Sequence, residues 1–135
     1  KNLSSKNYTL YDVALGKENL KGQPVYVNNN SCGAPSLDSS KAKKKSNVVT
    51  DITTLDGYNL TNVGYIKIDV QGTEKDVILG SLETLKNNNV VLVVELPRRN
   101  KNEKQYHYEV KKILSKIGYS WKEQQYRKEA VFIKS

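Results

Sequence analysis

Hydrophobic and polar residues alternate in short stretches through the first part of the chain. In residues 8–14, YTLYDVA, β-branched and aromatic residues lead to a turn at Gly16, and this pattern predicts a strand. Shorter patterns of the same kind predict strands at residues 24–27 and 48–54. Residues 28–46 consist mainly of Asn, Ser, Gly and Lys, a composition typical of a loop excursion.

The middle of the chain has the clearest strand and helix patterns. Residues 64–70, GYIKIDV, predict a strand, and Gly72 provides a tight turn that a residue with a Cβ would make at some cost. Thr73 lies where it can cap the helix that follows. Apolar residues at helical spacing define that helix, namely Val77, Ile78, Leu82 and Leu85. A run of Asn at residues 87–89 ends it, because Asn side chains compete for backbone hydrogen bonds.

The last third of the chain predicts a strand, a helix and a hairpin. Residues 90–97, VVLVVELP, are a continuous apolar run of the kind found in parallel strands covered on both faces. A helical stripe of apolar residues then runs from Tyr106 to Ile117 and stops at Gly118. The segments YSWKEQQY and EAVFIK predict an antiparallel hairpin at the edge of a mixed sheet. Alternating units of this kind imply a doubly wound α/β sheet, in which ligands bind beyond the carboxyl ends of the strands.

Two acidic residues end neighbouring predicted strands. Asp69 and Glu95 would face one crevice if those strands lie side by side, and a carboxylate there could act as a general base. Alternatively, Asp69 is a strand-end acid that accepts bonds from nearby backbone N–H groups. Glu95 follows a buried run, so its carboxylate must be solvated, paired with another group or part of a functional site. Glu74 lies in the first turn of its predicted helix, where the helix dipole stabilises a carboxylate whatever its function.

Composition is that of one small globular domain spanning residues 1–135. The 37% hydrophobic and 27% charged residues suit a soluble chain, and no apolar run approaches the roughly 18 residues that cross a bilayer. Cys32, the single cysteine, cannot form an internal disulfide, which favours a reducing compartment and hence the cytoplasm. His107 is the only histidine, and without converging His or Cys ligands we predict no tightly bound metal.

The net charge of +8 favours an anionic partner without identifying it. A lysine run at residues 41–45 and nine tyrosines could in principle contact single-stranded nucleic acid. No RNP, zinc-finger or helix-turn-helix pattern is present, so the run is explained more simply by solubility or by attraction of an anionic substrate.

The segment IKIDVQGTEKDVILGSLETL, followed by VVLVVELP, resembles the signature of the FkbM-like methyltransferases. YTLYDVALG is similar to the third strand of that family, and VVTDITTLDGY to the segment before its signature. The resemblance implies a Rossmann-like fold that binds S-adenosylmethionine and methylates a hydroxyl oxygen of a sugar or another small molecule. It also implies that Asp12, Val13 and Ala14 lie near the adenine and that Asp69 and Glu95 are catalytic.

Residues near the acceptor are implied in the same way, namely Val70, Gln71, Gly72 and His107. Gln71 stands where the family usually has Glu, which removes one negative charge from the crevice. For His107 an ordinary surface position is the competing interpretation, because it follows Tyr106 at a charged helix start.

The glycine-rich first turn and the ribose-binding acid expected of such folds are not in this sequence. The chain therefore resembles the C-terminal half of the methyltransferase fold, lacking the first strands and helices. We expect an open sheet edge, to be covered by an upstream segment or by a second copy. The competing hypothesis is a non-catalytic remnant that binds an anionic partner such as nucleic acid.

Overall fold

The strands form two sheets in the computed structural model, which describes residues 8–27, 37, 44–70, 72–96, 103–122 and 129–135. The first sheet contains β1 (Ala14–Leu15), β2 (Leu20–Val27) and β3 (Lys44–Thr53) in the order β1-β3-β2. β3 runs antiparallel to β2 and parallel to β1.

Several predicted boundaries in this sheet were wrong, and β2 begins at Leu20 rather than at residue 24. The strand expected over residues 8–14 is limited to Ala14–Leu15, because only these residues pair with Ile52 and Thr53 of β3. Residues 44–46, expected to belong to the loop excursion, instead begin β3, where Lys44 pairs with Val27. The rest of that predicted excursion lies outside the described residues, apart from Leu37.

The second sheet contains β4 (Tyr65–Ile68), β5 (Val91–Glu95), β6 (Tyr119–Lys122) and β7 (Glu129–Lys134) in the order β4-β5-β7-β6. β4 and β5 are parallel, and β7 is antiparallel to both β5 and β6. The parallel pair and the terminal hairpin are therefore confirmed. A single doubly wound sheet was predicted. In the structure β1 pairs with β3 whereas β4 pairs with β5, so the described strands form two separate sheets.

The helix predicted after Gly72 is divided into α1 (Glu74–Leu79) and α2 (Leu82–Asn87). Thr73 precedes α1 as expected, but its side chain makes no capping hydrogen bond. The break falls at Gly80, where a Cβ would lie 2.0 Å from the carbonyl oxygen of Gly16. The connection after β1 thus packs directly on the backbone between the two helices.

The third helix, α3 (Glu103–Ser115), confirms the predicted stripe, and Gly118 after it has φ +85°, as expected for a glycine that stops a helix. Residues of all three helices form one hydrophobic core with one face of the second sheet. The helices contribute Ile78, Leu85, Val110 and Leu114, and the sheet contributes Ile68, Leu92, Val94, Ala130 and Phe132. On the other face of β5, Val93 is also buried but Val91 is 41% exposed. The predicted burial of this strand on both faces is therefore incomplete.

The C-terminal end of α2 is held by residues of the terminal hairpin. The Nζ atom of Lys134 donates to the carbonyl oxygens of Leu85, Lys86 and Asn88, and the hydroxyl of Tyr119 donates to that of Leu85 at 3.1 Å. These donors satisfy carbonyls that have no partner inside the helix.

The described helices include none that is both long and apolar enough to cross a membrane.

The N-terminal end of α2 is capped from a 3₁₀ turn at Asp56–Tyr58. The Asp56 carboxyl oxygens accept hydrogen bonds from the N–H groups of Glu83 and Thr84 at 3.1 and 2.7 Å.

Replacing Asp56 by alanine should lower the free energy of unfolding by about 1–2 kcal/mol, because both donors lose their acceptor. Urea denaturation measures this, and Asp56→Asn should lose less because its amide oxygen still accepts. Equal stability of wild type and Asp56→Ala would contradict the capping role.

Candidate functional site

Asp69 and Glu95 lie at the carboxyl ends of adjacent parallel strands. Ile68 of β4 pairs with Val94 of β5; Asp69 directly follows β4, which is shorter than the predicted strand at residues 64–70, and Glu95 is the last residue of β5. Asp69 is exposed and Glu95 is half-buried. Because Ile68, Val94 and Leu96 point into the core, both acids alternate onto the sheet face opposite the helices. The juxtaposition expected from the sequence is present, whereas their catalytic roles stay predictions.

A third carboxyl group and a lysine on this face were missed by the sequence interpretation. Glu129 of β7 pairs directly with Glu95, and Glu129 Oε1 lies 3.0 Å from Nζ of Lys67. The hydrogen bond and charge of Glu129 raise the pKa of Lys67, with a smaller contribution from Asp69. The position of Lys67 could have been inferred from the segment IKID. Lys67 and Asp69 are two residues apart there, and residues two apart on a strand share a face.

The turn between β4 and α1 is organised by a buried carboxyl group. Gly72 has φ +120°, and its N–H donates to Oε1 of Glu74 at 2.6 Å. Glu74 is only 2% exposed, so it needs hydrogen-bond donors. Its position in the first turn of α1 was predicted, but its burial and its bond to Gly72 were not.

The second donor to Glu74 comes from α3. The hydroxyl of Tyr106 donates to Oε2 of Glu74 at 3.0 Å and accepts from the N–H of Lys75 at 3.0 Å. Burial, together with the nearby charge of Glu74, raises the pKa of Tyr106 well above its usual range, so the phenol stays protonated and remains a donor. α3 is therefore bonded to the turn that follows Asp69.

An ion pair adds to this attachment. Lys75 Nζ lies 2.9 Å from Oε2 of Glu109. The hydrogen bond from Lys75 is the largest cause of the lowered pKa of Glu109. The pair lies one turn along α3 from Tyr106, so two successive turns of the helix contact the start of α1.

The residues predicted to line the acceptor site are only partly placed together. Val70 packs against the hydrophobic core, and Gly72 forms the turn just described. His107 is half-buried on α3, directly after Tyr106. Gln71 lies outside the described residues.

The three residues predicted near the adenine do not share one cleft. Asp12 is exposed beside the middle of β3, whereas Val13 lines an apolar cleft of about 220 Å³ with Tyr58 and Leu60. Ala14 is half-buried in β1. The rings of Tyr11 and Tyr58 meet edge to face in the apolar cleft, with centroids 4.8 Å apart.

A second cleft, of about 150 Å³, lies between the end of β1 and the start of α1. Leu15 and Gly16 line one side, and Thr73 and Asp76 line the other. Leu15 also lines the apolar cleft, so the two clefts are neighbours. Each is smaller than the roughly 300 Å³ at which ligand pockets usually begin, so neither alone encloses a large ligand.

Within the described ranges, no three His, Cys, Asp or Glu side chains converge as they would around a metal ion. The row formed by Asp69, Glu95 and Glu129 is thus not arranged as a metal site.

The chain was compared with known protein families, curated proteins and solved structures. The sequence model of the Methyltransferase FkbM domain family matches residues 2–127. No curated protein and no solved structure matches the chain.

Proposed function

Because the chain belongs to the FkbM methyltransferase domain family, we propose that it takes part in methyl transfer from S-adenosylmethionine to a hydroxyl oxygen of a sugar or another small molecule. The observation that carries this proposal is the adjacency of Asp69 and Glu95 at the carboxyl ends of β4 and β5, next to the turn that leads to Thr73. Ligands of α/β sheets bind at such strand ends.

The described residues fit one end of the cofactor. When bound, S-adenosylmethionine supplies an electrophilic methyl group. Val13, Tyr58 and Leu60 offer the apolar and aromatic surface that suits a planar base, and Thr73 and Asp76 offer polar groups in the adjoining cleft. Asp12 and Ala14, the neighbours of Val13 in the chain, line neither of these two clefts, so only Val13 of the three residues is assigned to the base site.

Asp69 is proposed as the general base. An exposed carboxylate can accept the proton of an acceptor hydroxyl, while Glu95 beside it orients the same group. Most of the rate enhancement in such a reaction comes from alignment of the reacting atoms, so the bonds that hold Gly72 and Glu74 after Asp69 contribute as well.

The strand edges support a further part of the proposal. In the described residues β1 and β4 each have one neighbouring strand, and Tyr65 on β4 is 59% exposed. Such edges readily accept another strand. We propose that an upstream segment or a second copy covers them.

Calorimetric titration with S-adenosylmethionine and S-adenosylhomocysteine tests the proposed function. We expect saturable binding of both, and Val13→Asp should weaken it by about tenfold because a charge then faces the base site. Val91→Asp is the matched control, since Val91 is exposed to a similar degree, 41% against 37%, and lines neither cleft. Absence of binding, or equal weakening by both variants, would contradict the proposal.

A further inference from the structure

The turn that carries Asp69 into α1 depends on a side chain from a different layer of the fold. Residue 72 needs positive φ, and its N–H is bonded to the buried Glu74. Glu74 in turn accepts from Tyr106 of α3. The position of the turn is thus determined by α3 as well as by β4.

The bonding of the Tyr106 hydroxyl makes this link specific. It donates to Glu74 and accepts from the N–H of Lys75, so one oxygen contacts both the buried acid and the backbone after it. A phenylalanine ring would fill the same space but could make neither bond. In that case Glu74 keeps only the Gly72 N–H among these donors, and its burial becomes less favourable.

The same turn borders the cleft at the start of α1. Thr73 lies between Gly72 and Glu74 in the chain and lines that cleft opposite Leu15. A displacement of Gly72 or Glu74 would therefore move one wall of the cleft.

We propose that Glu74 and Tyr106 are positioning residues that hold the 72–74 turn against the cofactor cleft. This inference rests on the proposed function, because only a bound cofactor gives the wall position a chemical consequence. Neither residue touches the reacting atoms; Glu74 acts through Gly72 and Thr73, and Tyr106 acts through Glu74.

The test compares Tyr106→Phe with Tyr119→Phe in the full chain. Tyr119 is the matched control, because its ring also packs with the hydrophobic core and its hydroxyl also donates a hydrogen bond, to the carbonyl of Leu85 at the opposite end of the helix pair. Amide hydrogen exchange at Gly72 reports on the turn independently of activity. Affinity for S-adenosylhomocysteine, measured well below both melting temperatures, reports on the cleft.

In Tyr106→Phe we expect exchange at Gly72 to be about tenfold faster and the affinity about tenfold weaker, because the bond network has lost its central hydroxyl. Tyr119→Phe should leave both at wild-type values. Glu74→Gln serves as a second variant, since its amide oxygen can still accept from Gly72 but its NH₂ group faces the phenol. It should give an intermediate loss of affinity.

Unchanged exchange in Tyr106→Phe would overturn the inference, since the turn would then be held by other contacts. Faster exchange with unchanged affinity would also overturn it, because the contact would be structural only. Equal loss in Tyr119→Phe would show a general effect of stability. If the wild-type chain binds no S-adenosylhomocysteine, the proposed function fails and this inference fails with it, whatever the exchange at Gly72 shows.

Discussion

Gly80→Ala should be among the most destabilising single substitutions in this chain, with an expected loss of about 3 kcal/mol or more in the free energy of unfolding. The added Cβ would lie 2.0 Å from the carbonyl oxygen of Gly16 and 3.3 Å from Cα of Lys17. Both neighbours are backbone atoms, so no side-chain rotation relieves the overlap. The connection after β1 must move away from the α1–α2 junction.

Two other glycines serve as controls for this prediction. A Cβ at Gly64 meets nothing within 4 Å, so Gly64→Ala should change stability by less than about 1 kcal/mol. A Cβ at Gly118 is also unobstructed, but its φ of +85° makes alanine strained, and a loss of about 1 kcal/mol is expected. Urea denaturation of the three variants gives the order, and a Gly80→Ala protein as stable as Gly64→Ala would show that the close approach is absent in solution.

Asp69→Asn should have the largest effect on activity. Removal of a general base typically lowers turnover by about 100-fold or more, because the amide cannot take the acceptor proton. Affinity for S-adenosylhomocysteine should stay within about twofold of wild type, because the proposed base would act on the acceptor and contribute little to cofactor binding. Turnover is followed as S-adenosylhomocysteine released with a hydroxyl compound that the wild-type chain methylates.

Glu83→Gln is the control for the change in charge. Glu83 is exposed on α2, and its carboxyl group pairs with Lys86 at 2.7 Å. This variant should keep wild-type turnover. Normal turnover in Asp69→Asn would remove Asp69 from the mechanism, and Glu95→Gln would then test the neighbouring acid by the same assay.

The strands and helices with strong apolar periodicity were predictable from sequence. β4, β5 and α3 have strong patterns of apolar residues, so they formed where expected. Residues 8–13 have strand-like composition as well, yet Leu10 is 84% exposed and only Ala14 and Leu15 pair with β3. Strand length here depends on the partner, which local composition does not encode.

The break between α1 and α2 shows the same limit. The residues on either side of Gly80 keep one helical spacing, so the pattern alone predicts one helix. At the break the backbone of Gly80 lies against that of Gly16, and its carbonyl accepts a hydrogen bond from the N–H of Asp56; both partners are distant in sequence.

The candidate site was predictable only in its backbone-determined part. Asp69 and Glu95 are neighbours because they end a parallel pair of strands, which the apolar run at residues 90–97 indicated. Glu74 and Tyr106 meet only because α3 packs over the start of α1, and Lys67 reaches Glu129 only because β7 pairs with β5. Such contacts depend on the tertiary arrangement and leave no local pattern.

The bonds from Lys134 to the end of α2 give residues 134 and 135 a part in resistance to proteolysis. A variant that ends at Ile133 loses the ammonium group that three carbonyls share, together with the N–H and hydroxyl donated by Ser135 to Gly118. Endoproteases should cleave this variant faster than the chain that ends at Ser135, because fewer bonds then hold the hairpin and the end of α2. An affinity tag fused after Ser135 needs a flexible spacer to leave these contacts intact.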